Sequence, residues 1–271
     1  MNAASQDDCR SARVLLDPIR TAILSRESNG EVSAVTLGTV GSFNHGGREY
    51  DIPRLTFIGP DAAHDPIRLG LFAGLHGDEP AGCTALVQFG AALARNPALA
   101  MGYELMIYPV LNPTGYERAT RVNYVGKDLN REFWRESAAP EIRLIEAELR
   151  AQQFAGIITL HADDTCEGIY GYAHGRTLNE SLLKPALAAA SRFLPLDGRA
   201  TIDGFAAREG LIHECFQCVL SAPPDQHPQP FDLIFETPAH AAFDLQVSAT
   251  VAAVEAIIAV YPGFISYAQD L

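Results

Sequence analysis

Residues 67–80 read IRLGLFAGLHGDEP, and this stretch decides the fold class. Its first seven residues form an almost continuous apolar run, which is typical of a strand that is buried on both faces of a sheet. The run then passes through a glycine turn to Pro80, a residue type that is favoured at the first position of a helix. The segment therefore predicts a buried strand, a tight turn and a helix, with His76 and Glu79 in the turn.

Two more apolar runs, AGIITLHA (155–162) and FDLIFETP (231–238), predict buried strands that carry His161 and Glu236 at their ends. Further strands are predicted near 32–40, 49–58 and 103–113, whereas helical patterns cover 10–26, 80–95, 140–153, 178–192 and 243–261. Residues 114–137 read as a polar loop, and residues 199–222 read as short strands and loops. The alternation predicts an α/β fold with three layers, α/β/α, around a mixed, mostly parallel central sheet. We expect one main domain over 65–271, with the helix and strands of 1–64 packed on it or part of it.

The composition excludes several classes of protein. The chain has 271 residues, of which 48% are hydrophobic and 20% charged, as in ordinary globular domains. Its formal net charge of -13 argues against binding to nucleic acid or to an anionic membrane surface, although a local basic pocket remains compatible with it. The acidic N-terminal stretch, the lack of a long apolar run and five scattered cysteines predict a cytoplasmic protein that binds no membrane. The oligomeric state is left open.

The ends of the three buried strands carry the first functional signal. Ligands of such sheets bind beyond the carboxyl ends of the strands, so His76, Glu79, His161 and Glu236 are expected at one rim. Two histidines and one glutamate are the protein ligands of several catalytic zinc sites, which leave one position open for water. A separate carboxylate must then move the proton of that water, and Glu236 is the candidate. Each residue alone has an ordinary structural explanation, but their joint position favours one Zn²⁺ per chain.

Five motifs follow one another in a known order: GLHGDE (74–79), NPTG (112–115), DLNR (128–131), TLHAD (159–163) and FETP (235–238). In this order they resemble the carboxypeptidase A-like zinc metallohydrolases, over about residues 65–261. The resemblance implies specific roles. His76, Glu79 and His161 would bind zinc, Glu236 would be the general base and acid, Asp128 would orient His76, Asn130 and Arg131 would grip the carboxylate of the substrate, and Arg121, in preference to Arg118, would polarise the scissile carbonyl.

The sequence departs from the digestive carboxypeptidases at one point. Those enzymes have a tyrosine that closes over the substrate, but no tyrosine lies between Tyr172 and Glu236 here. Phe205, Phe216 and His213 are the candidates to line the pocket instead. Closure of the pocket and the preferred substrate side chain therefore stay open, while the zinc chemistry is unaffected.

A second branch of the superfamily, the succinylglutamate desuccinylase and aspartoacylase group, often has the same Glu-Thr-Pro sequence at the catalytic glutamate. Its members usually continue with a β-rich domain, whereas the residues after Glu236 in this sequence read as a loop and one helix. The favoured function is therefore a zinc-dependent metallocarboxypeptidase that cleaves an amide bond beside a free carboxylate in short or unusual peptides. An N-acyl-amino-acid deacylase and a catalytically inactive zinc-binding scaffold are the alternatives.

The pair Cys215 and Cys218 forms a C-x-x-C motif without the setting of a redox helix or a second cysteine pair. Two buried small apolar residues are the favoured interpretation, and a minor metal site with His213 is the alternative. The function of this pair is left open.

Overall fold

The computed structural model describes residues 10–30, 32–62 and 65–269. The N-terminal part contains α1 (Ala12–Leu15), α2 (Asp17–Ser28), β1 (Val35–His45) and β2 (Arg48–Ile58). The middle contains β3 (Ile67–Ala73), α3 (Pro80–Arg95), β4 (Tyr103–Tyr108), α4 (Pro113–Arg118), α5 (Pro140–Gln152), β5 (Gly156–Asp163) and β6 (Tyr170–Ala173). The last part contains α6 (Arg176–Leu178), α7 (Lys184–Ala190), β7 (Thr201–Ile202), β8 (Phe205–Arg208), β9 (Leu211–Ile212), β10 (Phe231–Pro238) and α8 (Phe243–Gln269).

The strands form one sheet in the order β1-β2-β4-β3-β5-β10-β6-β9-β8-β7. The central four strands, β4, β3, β5 and β10, are parallel to one another. Antiparallel pairs flank them, since β2 runs against β4 and β6 runs against β10. The fold is the expected mixed α/β fold: the centre is parallel, antiparallel pairs lie towards both edges, and β9 is again parallel to β6.

Helices cover both faces of the sheet, as the three-layer prediction requires. On one face α2, α3, α7 and α8 pack on the strands and form the larger hydrophobic core. On the other face α5 packs Ile142, Ile145 and Leu149 against a smaller core that includes Phe72 and Phe154. The parallel strands are buried on both sides, which explains their continuous apolar sequences.

Several boundaries differ from those that the sequence predicts. The helix predicted over 10–26 is broken after Leu15, where Pro18 in the new first turn supplies no backbone N–H. The strand predicted over 103–113 ends at Tyr108, and the predicted loop from 114 begins within α4, whose first residue is Pro113. The helix predicted over 178–192 begins earlier, with α6 and a π-helical turn at Asn179–Leu183.

Helix α8 is longer than predicted, because it continues past Pro262 to Gln269. Its segment Phe243–Ser266 is long and apolar enough to cross a bilayer by length and composition alone. No apolar run of that length, in contrast, is predicted from the sequence. A core helix of a globular protein passes the same test, and α8 packs Ala253, Val254 and Ile257 into the larger core. The apolar character of this helix is therefore accounted for in part by packing.

The N-terminal strands belong to the same sheet as the rest of the chain, because β2 pairs with β4 from Leu55–Ile107 to Ile58–Glu104. Residues 1–9, 31, 63–64 and 270–271 lie outside the described ones. The division of the chain between residues 64 and 65 stays a prediction.

Candidate active site

The structure brings His76, Glu79 and His161 together at the carboxyl ends of β3 and β5. All three side chains are buried, and one potential ligand atom from each lies within 4.8 Å of the others. Nδ1 of His76 lies 2.5 Å from Oε1 of Glu79, and Nδ1 of His161 lies 2.9 Å from Oε2 of the same carboxylate. Both imidazoles therefore turn the same ring nitrogen towards one carboxylate.

The NPTG segment supports the turn that carries His76. The side chain of Asn112 donates to the carbonyl of Leu75 at 3.2 Å and accepts from the backbone N–H of Gly115 at 2.9 Å. Gly77 lies so close to α4 that a Cβ atom on it would be 1.9 Å from the carbonyl carbon of Gly115. Only glycine fits this contact, and the turn that carries His76 is thereby fixed against α4.

Asp128 holds the outer nitrogen of His76. Its Oδ1 atom lies 3.1 Å from Nε2 of His76 and also accepts from the backbone N–H of Asn130 at 2.9 Å. A carboxylate on the second ring nitrogen is the usual partner of a metal-ligating histidine, because it fixes the tautomer and the ring orientation. The position supports the orienting role that the resemblance implies for Asp128.

The charges at the three residues are tightly linked. Burial lowers the pKa of His76, but the hydrogen bonds to Asp128 and Glu79 outweigh it and raise that pKa to about 9. Burial alone would raise the pKa of Glu79, but the two imidazoles lower it to about 2. Burial lowers the pKa of His161. The carboxylate of Glu79 is thus kept ionised although it is buried.

This set of donors fits a divalent metal ion. Two imidazole nitrogens and a carboxylate from the ends of adjacent strands converge on one point, and the outer nitrogen of one imidazole already has its carboxylate partner. The backbone N–H of Ala162 donates to Oε2 of Glu79 at 3.1 Å, which fixes the orientation of that carboxylate.

Glu236 lies beside this group, on β10. The register of the parallel strands pairs Glu236 with His161, so the two residues are direct neighbours across the sheet. Its side chain is half-buried and lines the same cleft, whose volume is about 490 Å³. Burial, together with the charges of Glu79, Asp163 and Asp203, raises the pKa of Glu236 well above its ordinary value.

Three polar side chains line the cleft from the loop after α4. Arg121 donates to Asp128 at 3.2 Å and to Glu79 at 3.5 Å. Asn130 is buried, accepts from the backbone N–H of Leu220 at 2.9 Å, and has its amide nitrogen 3.4 Å from Nε2 of His161. Arg131 donates to the carbonyl of Asn130 at 2.8 Å, and its guanidinium lies 4.9 Å from the centre of the Phe216 ring. It forms no salt bridge with a described carboxylate. Its guanidinium is therefore available to an anionic ligand.

The comparisons with known proteins agree with this geometry. A model of the succinylglutamate desuccinylase/aspartoacylase catalytic domain matches residues 66–169. A candidate metallopeptidase of Shewanella denitrificans shares 25% identity, with 91% of this chain and 89% of that chain covered and a TM-score of 0.73. A similar protein of Shewanella amazonensis shares 24% identity, with coverages of 92% and 96% and a TM-score of 0.71. A metallo-carboxypeptidase of Burkholderia cenocepacia shares 16% identity, with coverages of 90% and 69% and a TM-score of 0.66.

The chain is similar in fold to the carboxypeptidase-like metallohydrolase superfamily, and its matching segment is similar to a catalytic domain of that superfamily. It combines the superfamily's fold with a domain match to the desuccinylase and aspartoacylase branch. Among curated proteins, none matches the sequence. The superfamily supports a metal-dependent hydrolase, and the three buried residues are the place in the described chain where a metal ion fits.

The residues expected to line the pocket in place of the closing tyrosine of the digestive carboxypeptidases lie in different places. Phe216 lines the cleft and contacts Phe205 and Tyr172 edge-on or at a tilt. His213 is exposed and lines another cavity with Arg176 and Glu180, so the expectation that it could line the cleft is wrong. Cys215 is exposed and Cys218 is half-buried, so the interpretation of both as buried apolar residues is wrong as well.

Sequence reasoning missed an acidic side of the cleft. The hydroxyl of Tyr170 donates to Asp163 at 3.0 Å, and the hydroxyl of Tyr172 donates to Asp203 at 2.7 Å. Burial raises the pKa of both tyrosines, so neither phenol is an acid near neutral pH. The Asp203-Gly204 pair was a readable turn signal, because both residues have positive φ in the tight β7–β8 hairpin. Nothing in the sequence indicated that this hairpin reaches the cleft.

Proposed function

We propose that the protein is a zinc-dependent metallocarboxypeptidase that hydrolyses an amide bond adjacent to a free carboxylate in short or unusual peptides. One juxtaposition carries the proposal: His76, Glu79 and His161 form a buried metal-ligand set, and Glu236 and the Asn130-Arg131 pair line the same cleft. A structural zinc site needs neither a proton-transfer group, such as Glu236, nor a binding site for a substrate carboxylate, such as Asn130 and Arg131. This observation favours a catalyst over an inactive scaffold.

His76, Glu79 and His161 would hold the metal, and a bound zinc ion would lower the pKa of a water molecule and polarise the carbonyl of the substrate. Glu236 takes the proton of the attacking water as the new C–O bond forms, and it delivers that proton to the amine as the C–N bond breaks. Its raised pKa suits the second of these steps, because a weaker acid holds the proton until the leaving nitrogen needs it. Arg121 stabilises the negative charge that develops on the carbonyl oxygen.

The substrate is held by its terminal carboxylate. A planar guanidinium forms two parallel, charge-assisted hydrogen bonds with a carboxylate, and Arg131 has no competing salt bridge with a described residue. Asn130 is fixed by the backbone N–H of Leu220 and adds an amide donor next to it. This pair would place the amide bond of the last residue between Glu236 and the metal ligands.

An N-acyl-amino-acid deacylase is the second candidate, because the matching domain model describes a desuccinylase and aspartoacylase domain. Such a substrate would put a further group, anionic in a succinyl amide, into the same cleft. The charges of the cleft oppose a second anion: Asp78, Asp163, Asp164 and Asp203 line it in addition to Glu79 and Glu236. Electrostatic complementarity therefore favours a peptide over an N-acyl dicarboxylate.

The test is a panel of substrates offered to the zinc-loaded protein: N-blocked dipeptides with a free carboxyl terminus, N-acetylated amino acids, and N-succinylglutamate. We expect hydrolysis of the peptides and a much lower kcat/KM for the other two classes. Efficient hydrolysis of N-succinylglutamate alone would establish the deacylase instead. One zinc ion per chain with no hydrolysis of any member would establish the scaffold.

The mechanism is tested with Glu236→Gln. This variant should keep its zinc content and lose kcat by about 100-fold to 10,000-fold, the range of general acid–base catalysis. Glu180→Gln, on the exposed surface and paired with Lys184, is the matched control and should retain wild-type turnover. If Glu236→Gln remains as active as the wild type, the assigned proton transfer is wrong.

A further inference from the structure

Strand β10 carries more than the catalytic glutamate. Because side chains alternate along a strand, Asp232, Ile234 and Glu236 share one face of the sheet. Ile234 and Glu236 line the active cleft. Asp232 lies four residues before Glu236, about 13 Å away along the strand, and it lines a second cavity of about 300 Å³.

The two cavities are neighbours. Four residues line both of them, and we refer to these residues as the collar: Tyr172, Phe216, Val219 and Ile234. The collar is made of aromatic rings and aliphatic groups. A substrate side chain that passes from the cleft through the collar would therefore meet apolar surface first and Asp232 beyond it.

The carboxylate of Asp232 lacks a counter-charge. It accepts from the backbone N–H of Ala222 at 3.2 and 3.5 Å, and no described side chain donates to it. Asp197, a fully buried aspartate, forms a salt bridge with Arg199 at 2.7 Å instead. Burial raises the pKa of Asp232 to about 7, whereas the pKa of Asp197 is lowered chiefly by its hydrogen bonds to Arg199, which outweigh burial. A buried acid without a cation is costly, and a cationic ligand would remove that cost.

We propose that the substrate's terminal side chain passes through the collar and places a cationic group on Asp232, so that the enzyme selects peptides that end in a basic residue. This inference rests on the proposed carboxypeptidase function. The terminal carboxylate on Arg131 fixes one end of that residue, and a long side chain with an apolar stem and an ammonium or guanidinium end matches the collar and the carboxylate in turn. A terminal glutamate would bring a second negative charge to Asp232 and is disfavoured.

The test compares N-blocked dipeptides that differ only in the last residue: lysine, arginine, leucine or glutamate. We expect the zinc-loaded wild type to cleave the lysine and arginine peptides with at least tenfold higher kcat/KM than the leucine peptide, and the glutamate peptide least well. In Asp232→Asn, which keeps an acceptor for Ala222, the ratio of lysine to leucine kcat/KM should fall at least tenfold. Asp225→Asn, at an exposed salt bridge with Arg150, is the matched control and should leave the ratio unchanged.

Three outcomes would overturn the inference. The first is that the wild type shows no preference for a basic terminal residue. The second is that Asp232→Asn lowers kcat/KM for every peptide by the same factor. The third is that Asp203→Asn removes the preference and Asp232→Asn does not. Calorimetry with free lysine, arginine and leucine as product ligands separates this result from the proposed function. If no peptide is cleaved, the carboxypeptidase proposal fails, and the binding of lysine to the wild type compared with Asp232→Asn still decides whether Asp232 receives a cation.

Discussion

Replacement of Asp232 by asparagine should stabilise the folded protein, and the gain should grow with pH. The carboxylate is half-buried beside the collar and has a single backbone donor, so burial raises its pKa from 3.8 to about 7. A folded-state pKa above the unfolded value means that the folded state binds the proton more tightly. Its contribution to stability is therefore full below about pH 4 and is lost as the pH rises towards 7 and beyond.

The size of the effect follows from the two pKa values. Once Asp232 is fully ionised, the difference amounts to about 4 kcal/mol, since each pKa unit corresponds to about 1.4 kcal/mol. At pH 5 about a third of this destabilisation by the Asp232 carboxylate is already present. Between pH 5 and pH 9 we therefore expect the stability of Asp232→Asn relative to the wild type to increase by about 2–3 kcal/mol, because solvent reaches part of the side chain.

Urea denaturation of both proteins at four pH values from 5 to 9, with zinc at saturation, measures this difference. Metal binding and all other titrating groups contribute to both proteins alike, so they cancel in the comparison. Asp225→Asn, in an exposed salt bridge, should show no comparable increase with pH. A difference between Asp232→Asn and the wild type that stays constant from pH 5 to pH 9 would show that the carboxylate is not desolvated and would refute the reasoning.

Three further predictions concern the cleft. Asp128→Asn removes the carboxylate that holds Nε2 of His76, so zinc affinity in competition with a chromophoric chelator should fall by about 10-fold to 100-fold. Arg131→Met removes the guanidinium that we propose binds the terminal carboxylate, so KM should rise at least tenfold with a smaller change in kcat. A tenfold fall in kcat with an unchanged KM would count against this role. Gly77→Ala puts a Cβ atom into the backbone of Gly115, so the thermal midpoint and the zinc content should both fall, whereas Gly198→Ala, where a Cβ meets nothing and φ is not positive, should keep both.

The elements around His76, Glu79 and His161 were predictable from the sequence because their signals are local. A continuous apolar run marks a strand buried on both faces, and Pro80 and Pro140 mark the first turns of α3 and α5, as the structure has them. The position of ligands at the carboxyl ends of parallel strands then follows from topology, so the approach of His76 to His161 needed no knowledge of packing.

The acidic side of the cleft could not be predicted in this way. Tyr170 and Tyr172 lie on a four-residue strand, and their partner Asp203 lies on a hairpin more than thirty residues away. The hairpin turn is readable, but its position depends on how β8 and β9 continue the sheet beyond β6, which is decided by long-range pairing. The same dependence explains why His213 and Phe216, three residues apart, face different cavities.

Asp232 lies between these two cases. Its place in FDLIFETP was readable as an acid within an apolar strand, and the strand prediction was confirmed although it contains a charge. An ionisable group inside a sheet that is covered on both faces either has a partner or faces a cavity, because burial of a lone carboxylate is unfavourable. The sequence contains no basic residue within five positions of Asp232 other than His227, so no lysine or arginine is a local partner. An acid without a counter-charge on the same strand face as Glu236 therefore points to a cavity beside the cleft, and a cation is the ligand that we propose for it.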